Sequence, residues 1–246
     1  MWKLPGSITD ETEDEIIYTV KNVNGKILDL CIRGKSSSDV QVIDQVFASK
    51  EYLPLVEEIS KRGYSNKIHF IMDAGANVGY TTVYLKAYFP NADVVAIEPD
   101  NGNALQAGKN FTRNNLNSRK VIQGGIWSKD TWLELRKDHS DKKEWSYYVV
   151  ECSQPSGLKG FSIESVLSES GYPDIDLLKI DIEGSEKELF KDDCIIDPVL
   201  SKTKFLAIEI HEETGIRPRI YESLTRNGFE WFNRGELTIA TNMQKI

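Results

Sequence analysis

The sequence predicts an α/β fold built on a mostly parallel sheet, and three observations carry that prediction. From Lys67 onward, short apolar runs alternate with helical stretches, the rhythm of βαβ units. One of these runs, Ile68 to Met72, feeds a loop holding Gly75 and Gly79 that opens a helix. The next run, Val94 to Ile97, ends in an acid, Glu98. The chain has 246 residues, 40% hydrophobic and 28% charged, which is enough apolar material for a proper core and rules out disordered and fibrous classes. A single domain over 1–246 is expected, with 1–66 as an N-terminal hairpin and helical flank, 67–246 as the core, and an insertion at about 128–160.

Lys67 and the run after it are preceded by a hairpin, Ile16 to Val23 and Lys26 to Arg33, joined by Asn24-Gly25, which supplies the positive φ values of a tight turn. Ser38 with Gln41 fits a capping box for a helix toward Phe47, and a second helix follows Pro54 and ends near Gly63. With no linker between this flank and the core, it reads as a cover over a ligand. In the core, a crossover helix runs from Gly79 to Phe89, stopped by Pro90, and a strand from Asp93 to Ile97. A helix from Asn101 to Asn115 and a strand from Arg119 to Gln123 follow. Thr131 to Arg136 and Trp145 to Glu151 form an antiparallel insertion rich in aromatics, read mainly as packing. A strand from Ile175 to Ile180, a helix from Ser185 to Lys191, a strand from Phe205 to Ile210 and a helix near Arg217 to Asn227 resume the rhythm. Phe229 to Asn233 and Leu237 to Thr241 close the sheet as a hairpin.

The formal charge of −8 repels phosphate backbones, so nucleic acid is not an expected partner. No apolar run approaches the roughly 18–20 residues that span a bilayer, and the opening residues lack the apolar core of a signal peptide. No membrane partner and a cytoplasmic location are expected. Cys31, Cys152 and Cys194 are too few and too scattered for a disulfide framework or a zinc site and read as buried thiols.

The glycine loop discriminates among nucleotide ligands. A dinucleotide loop needs G-x-G-x-x-G, whose second glycine makes room for a diphosphate. Here the spacing is G-x-x-x-G, Asn77 stands where that second glycine would be, and the loop opens with Asp73, a poor neighbour for phosphate and a suitable one for a cation. Glu98 stands roughly 20 residues past Gly79, where a carboxylate grips ribose hydroxyls. Adenosine, an ammonium and a sulfonium with no phosphate meet all of these conditions, and S-adenosylmethionine combines them. A P-loop is absent.

At these residues the chain resembles the FkbM family of S-adenosylmethionine-dependent methyltransferases. The likeness is carried by Asp73-Ala-Gly-Ala-Asn-Val-Gly79, Ala96-Ile97-Glu98-Pro99 and Leu178-Lys179-Ile180-Asp181-Ile182-Glu183-Gly184-Ser185-Glu186, and extends more loosely over about 35–212. It implies a Rossmann-like, seven-stranded class I methyltransferase sheet and O-methyl transfer to a sugar or natural-product hydroxyl, with S-adenosylhomocysteine as product. It places the cofactor against Asp73, Gly75, Ala76, Asn77, Gly79, Glu98, Pro99, Trp127 and Asp181. Where the family commonly has a small Ala-Leu-Ser turn, this chain has Gly125-Ile126-Trp127-Ser128, so that Trp127 either covers the adenine or packs beneath it.

Methyl transfer from a sulfonium needs no acid, whereas an alcohol acceptor needs its proton taken. His211, at the end of the strand Phe205 to Ile210 and titrating near neutrality, is the expected base. His69 lies at the wrong sheet edge and His139 in the insertion. Asp181 and Glu183, after the strand Ile175 to Ile180, orient His211 or take the proton themselves. With Glu209 and His211 they also resemble a Mg²⁺ site, which no separate spacing motif supports. Ser185 reads as a helix cap. An NAD-dependent oxidoreductase, disfavoured by the missing glycine pattern, and a non-catalytic nucleotide-binding module are the alternatives on this sheet. The sequence leaves the acceptor, the metal dependence and the oligomeric state open.

Overall fold

The computed structural model describes residues 5–12, 15–34, 38–116, 119–137, 147–155 and 157–246. His139 and Trp145 lie outside them. The chain opens with β1 (Gly6–Glu11), β2 (Ile16–Val23) and β3 (Lys26–Ile32), which pair antiparallel in the order β1-β2-β3. The predicted hairpin is β2–β3, its turn made by Asn24 and Gly25 at φ 49° and 75°. A short helix α1 (Asp39–Ile43) passes into a π-helical turn, Asp44–Ala48, and α2 (Leu53–Lys61) follows with Pro54 in its first turn. The capping box at Ser38 is not formed: Ser38 is itself helical and its side chain makes no cap bond. The fully buried Asp39 instead accepts from the Arg33 backbone N–H at 2.9 Å and the Arg33 guanidinium at 2.6 Å, tying the helix start to the hairpin end.

The core then runs β4 (Phe70–Ala74), α3 (Tyr80–Tyr88), β5 (Asp93–Glu98), α4 (Asn101–Arg113) and β6 (Arg119–Gln123). Next come β7 (Gly125–Ile126), β8 (Thr131–Lys137), β9 (Tyr147–Cys152), β10 (Leu158–Phe161) and α5 (Ile163–Ser170). β11 (Ile175–Ile180), α6 (Glu186–Leu189), α7 (Asp193–Ser201), β12 (Thr203–Glu209), α8 (Arg217–Arg226), β13 (Phe229–Arg234) and β14 (Leu237–Asn242) complete it. The main sheet has seven strands in the order β13-β14-β12-β11-β4-β5-β6. β14 runs antiparallel to β12 and β13, and the pairs from β12 to β6 are parallel. This is the predicted Rossmann-like sheet.

The parallel strands are buried on both faces, and alternate residues go to opposite sides as the period of two requires. Ile71, Leu177 and Phe205 face a core shared with α2, α3 and the β2–β3 hairpin. Met72, Leu178 and Leu206 face a second core shared with α5, α7 and α8. The hairpin therefore belongs to the first core and is not a lid. Its Cys31 carbonyl accepts from Tyr80 Oη at 2.6 Å and Gln106 Nε2 at 2.7 Å, and the Cys31 N–H donates to Asn110 Oδ1 at 2.7 Å. The insertion forms a separate four-stranded sheet, β7-β10-β8-β9, over a small core of Trp127, Leu133, Val149 and Leu158. Of the three free cysteines Cys31 is buried, whereas Cys152 is half-buried and Cys194 exposed, correcting the expectation of three buried thiols. No helix of the described residues is long and apolar enough to cross a membrane.

Candidate active site

Strand order reverses between β4 and β11, and ligands of open α/β sheets bind beyond the carboxyl ends of the strands at such a point. The loop after β4 is shaped for that place. Gly75 (φ 81°), Asn77 (φ 49°) and Gly79 (φ 80°) are all left-handed. A Cβ at Gly75 would stand 1.7 Å from the Asp181 carbonyl oxygen, and one at Gly79 2.6 Å from Phe111 Cε1. The two glycines thus let the loop nest against the β11 end and against α4. We expect Gly75→Ala, strained in φ and clashing with backbone, to lose about 1–3 kcal/mol in denaturant unfolding; an unchanged midpoint would show that the loop has room to spare.

Glu98 closes β5 as a buried acid, 6% exposed. It accepts from the backbone N–H of Asn77 at 2.8 Å and of Asp100 at 3.0 Å, and from Asn103 Nδ2 at 3.3 Å. Burial nevertheless pushes its pKa up to about 7. It lines a small cavity with Gly75, Asn77, Ile97, Pro99, Asn103 and Ile126. A larger cavity of about 1020 Å³ adjoins it, bordered by Ala76, Tyr52, Trp127, Lys179 and His211 and by the carboxylates of Glu51, Glu209 and Glu236. Gly75, Asn77, Asp181 and Glu183 border both cavities. Trp127 borders the larger cavity and not the one that Glu98 lines, and it is 5% exposed, packed in the insertion's own core.

Asp73 is the first correction. Its carboxylate is wholly enclosed and borders neither cavity. Oδ2 accepts from Thr82 Oγ1 at 2.5 Å, and Oδ1 lies 3.3 Å from Lys179 Nζ. Its counter-charge is therefore Lys179, its register partner on β11, and not a ligand. Lys179 is the residue that the sequence analysis passed over. Only 2% exposed, it donates to the Gly75 carbonyl at 2.5 Å and lies 3.4 Å from Asp181 Oδ2. Burial opposes its charge, but Asp181 and Asp73 outweigh that and hold its pKa well above the ordinary lysine value.

His211 is the second correction. Its Nδ1 lies 3.2 Å from Glu186 Oε1, and its Nε2 lies 3.4 Å from Glu183 Oε2 and 4.0 Å from Glu209 Oε1. Against the effect of burial, the bonds to Glu183 and Glu186 push its pKa up to about 11. With the two carboxylates holding its proton, the ring in the unliganded chain is poorly placed to act as the base expected of it. Ser185, the third, makes no side-chain cap bond. The Ile182 N–H that opens this turn is instead satisfied by Glu186 Oε1 at 3.0 Å. Burial and Asp181 raise the pKa of Glu209 to about 8 and that of Glu51 to about 7.

The profile of the Methyltransferase FkbM domain matches residues 73–230, from the acid opening the glycine loop through the last helix of the core. The chain belongs to the FkbM methyltransferase family. This member is an S-adenosylmethionine-dependent methyltransferase by that assignment, which also answers the oxidoreductase alternative. It is similar to Methyltransferase sdnD of Sordaria araneosa, 28% identical over 192 residues, or 65% of this chain and 73% of that protein. It is also similar to Methyltransferase 1 of Beauveria bassiana, 22% identical over 142 residues, or 50% of this chain and 57% of that protein. Among solved structures, the N-terminal domain of human METTL16 in complex with SAH superposes with a TM-score of 0.50 at 16% identity, covering 90% of this chain and 86% of that one. That likeness shows the fold alone.

Proposed function

We propose that this FkbM methyltransferase moves the methyl group of S-adenosylmethionine to a hydroxyl of a small polyhydroxylated acceptor, a sugar or a hydroxylated natural product. One observation carries the reading: Asp181 and Glu183 stand where a small cavity holding a buried ribose-type acid meets a large, carboxylate-lined one. The donor's adenosine occupies the first, with its ribose hydroxyls donating to Glu98. The acceptor occupies the second, where Glu51, Glu209 and Glu236 accept hydrogen bonds from hydroxyls. In the transfer, the acceptor oxygen forms a bond to the methyl carbon as the carbon–sulfur bond breaks. The electron pair goes to sulfur, leaving a neutral thioether, and the hydroxyl proton goes to Asp181. Lys179, held by Asp73 behind it, keeps the Asp181 carboxylate in place. Small-molecule acceptors remain the proposed partners.

Calorimetric titration with S-adenosylhomocysteine tests the donor half, and Glu98→Ala should weaken binding by about tenfold or more, the worth of losing charge-assisted bonds. The pH dependence has a definite sign. Ribose hydroxyls donate best to the ionised acid, and Glu98 ionises at about 7, so affinity should rise between pH 6 and 8 and stay flat in Glu98→Gln. The unliganded fold responds oppositely: a carboxyl raised in the folded state lends stability that is whole below its ordinary value of 4.5 and is lost as pH rises through about 7. Affinity indifferent to both Glu98 and pH would remove the ribose assignment. Tight binding with no transfer to any hydroxylated acceptor in a broad screen would favour the non-catalytic reading.

A further inference from the structure

We propose that Asp181, Glu183 and His211 hold a divalent cation of the Mg²⁺ or Mn²⁺ kind at the junction of the two cavities, where it grips the acceptor's hydroxyls; the acceptor's part in this rests on the methyl-transfer reading above. Each of the three residues offers one ligand atom, and these atoms all lie within 4.8 Å of one another. They reach the junction from two neighbouring strand ends, Asp181 and Glu183 after β11 and His211 after β12. Two carboxylates and one imidazole form a mostly hard donor set, suited to a cation that retains water and exchanges it for substrate oxygens; at His211 Nε2 the cation takes the place of the proton that faces Glu183, which leaves to solvent, while Nδ1–H stays on Glu186.

A second observation comes from behind the cluster. Glu186 is 0% exposed, an ionisable side chain with no access to water. Its Oε1 faces His211 Nδ1 at 3.2 Å, and its Oε2 has no hydrogen-bond partner. A buried carboxylate set against Nδ1 fixes the ring and turns Nε2 outward, toward Glu183 and Glu209. Metal-binding histidines are oriented in this way, by a carboxylate on the nitrogen that does not ligate. The nearby ammonium cannot serve in the cation's place, because Lys179 is committed to Asp73, Asp181 and the Gly75 carbonyl. A second carboxylate trio, Glu51, Glu209 and Glu236, also has its ligand atoms within 4.8 Å of one another. It borders the same larger cavity. A bound cation would lower the pKa of a coordinated hydroxyl, and two adjacent open positions would select acceptors with neighbouring hydroxyls.

Mn²⁺ binding to the metal-stripped full chain without cofactor, followed by loss of the free-ion electron paramagnetic resonance signal, tests the site directly. We expect one Mn²⁺ per chain, displaced by Mg²⁺, with nitrogen modulation in the pulsed spectrum that disappears in His211→Ala. Asp181→Asn and Glu183→Gln should each weaken binding about tenfold or more. Glu186→Gln, a positioning change, should weaken it by roughly 10–100-fold with an unaltered circular dichroism spectrum. Glu183 is 45% exposed on its side chain, so its variant is informative even where His211→Ala fails to fold. No Mn²⁺ uptake by a chain that still binds S-adenosylhomocysteine would overturn the cation and leave the methyl-transfer reading standing. Uptake that none of these substitutions alters would overturn the site as well.

Discussion

Lys179→Met should cost the fold about 3–5 kcal/mol in denaturant unfolding, although the two side chains are close in length and volume. The loss comes from what is left behind. With the ammonium gone, the Asp73 carboxylate keeps only the Thr82 hydroxyl, at 0% exposure, and the Gly75 carbonyl loses its donor. An uncompensated buried charge is far costlier than a lost contact, so Asp73 would take up a proton or the strand ends would open. Adding Asp73→Asn to the Met variant removes the stranded charge and should restore a large part of the loss; Asp181, half-buried beside the cavity, can still reach water. A Lys179→Met protein within 1 kcal/mol of the parent would show that the triad is not what holds these two strands in register.

Asp181→Asn should lower turnover by about 10²–10⁴-fold, the range that a positioned proton acceptor contributes, while affinity for S-adenosylhomocysteine stays within about tenfold. The amide preserves shape and the hydrogen bond between the Asp181 N–H and the Ala74 carbonyl, 3.0 Å long, while removing the charge that the proposed transfer uses to receive the proton. Single-turnover measurements at saturating donor and saturating Mg²⁺ separate this effect from the binding of either. Undiminished transfer would pass the role of base to Glu209, whose raised pKa of about 8 and position at the end of β12 make it the next acid along the same cavity.

The parts of the fold that the sequence announced are those in which a local rule and the global pattern coincide. Ile175 to Ile180 and Arg119 to Gln123 agree with β11 and β6 end for end, because short segments centred on Leu177-Leu178 and Val121-Ile122 fall into the βα rhythm of their neighbours. Helix α5 went unread between an insertion and a strand, yet its signals stand in the chain: Ser162 caps by accepting from the Ser165 N–H at 3.1 Å, and Gly171 ends the helix at φ 79°. The capping pair at Ser38 shows the opposite failure. A correct local motif lost to a tertiary demand, since Asp39 was needed by Arg33.

In the site, spacing alone was enough to bring Glu98 and Gly75 to the wall of one cavity. For Asp73 and His211 the residues were readable and their partners were not, because each partner lies on another strand end or loop: Lys179 for the first, Glu183 and Glu186 for the second. The alternation of Lys179, Asp181 and Glu183 was visible in the sequence. What it lacked was the register that sets Lys179 opposite Asp73.

The two cavities share Gly75, Asn77, Val149, Asp181 and Glu183 and differ in the rest of their walls. The smaller adds Ile97, Glu98, Pro99 and Asn103 from around the end of β5, with Gly125 and Ile126 from the insertion, whereas the larger borrows Gln41 and Tyr52 from the helical flank, Tyr148 from the insertion and Glu236 from the last hairpin turn. On the proposed reading, acceptor choice rests largely on those peripheral segments. Peripheral segments can drift, lengthen or be exchanged to admit new acceptors while the cradle for the donor stays as it is, an architecture from which a lineage of enzymes with one reagent and many clients can diversify.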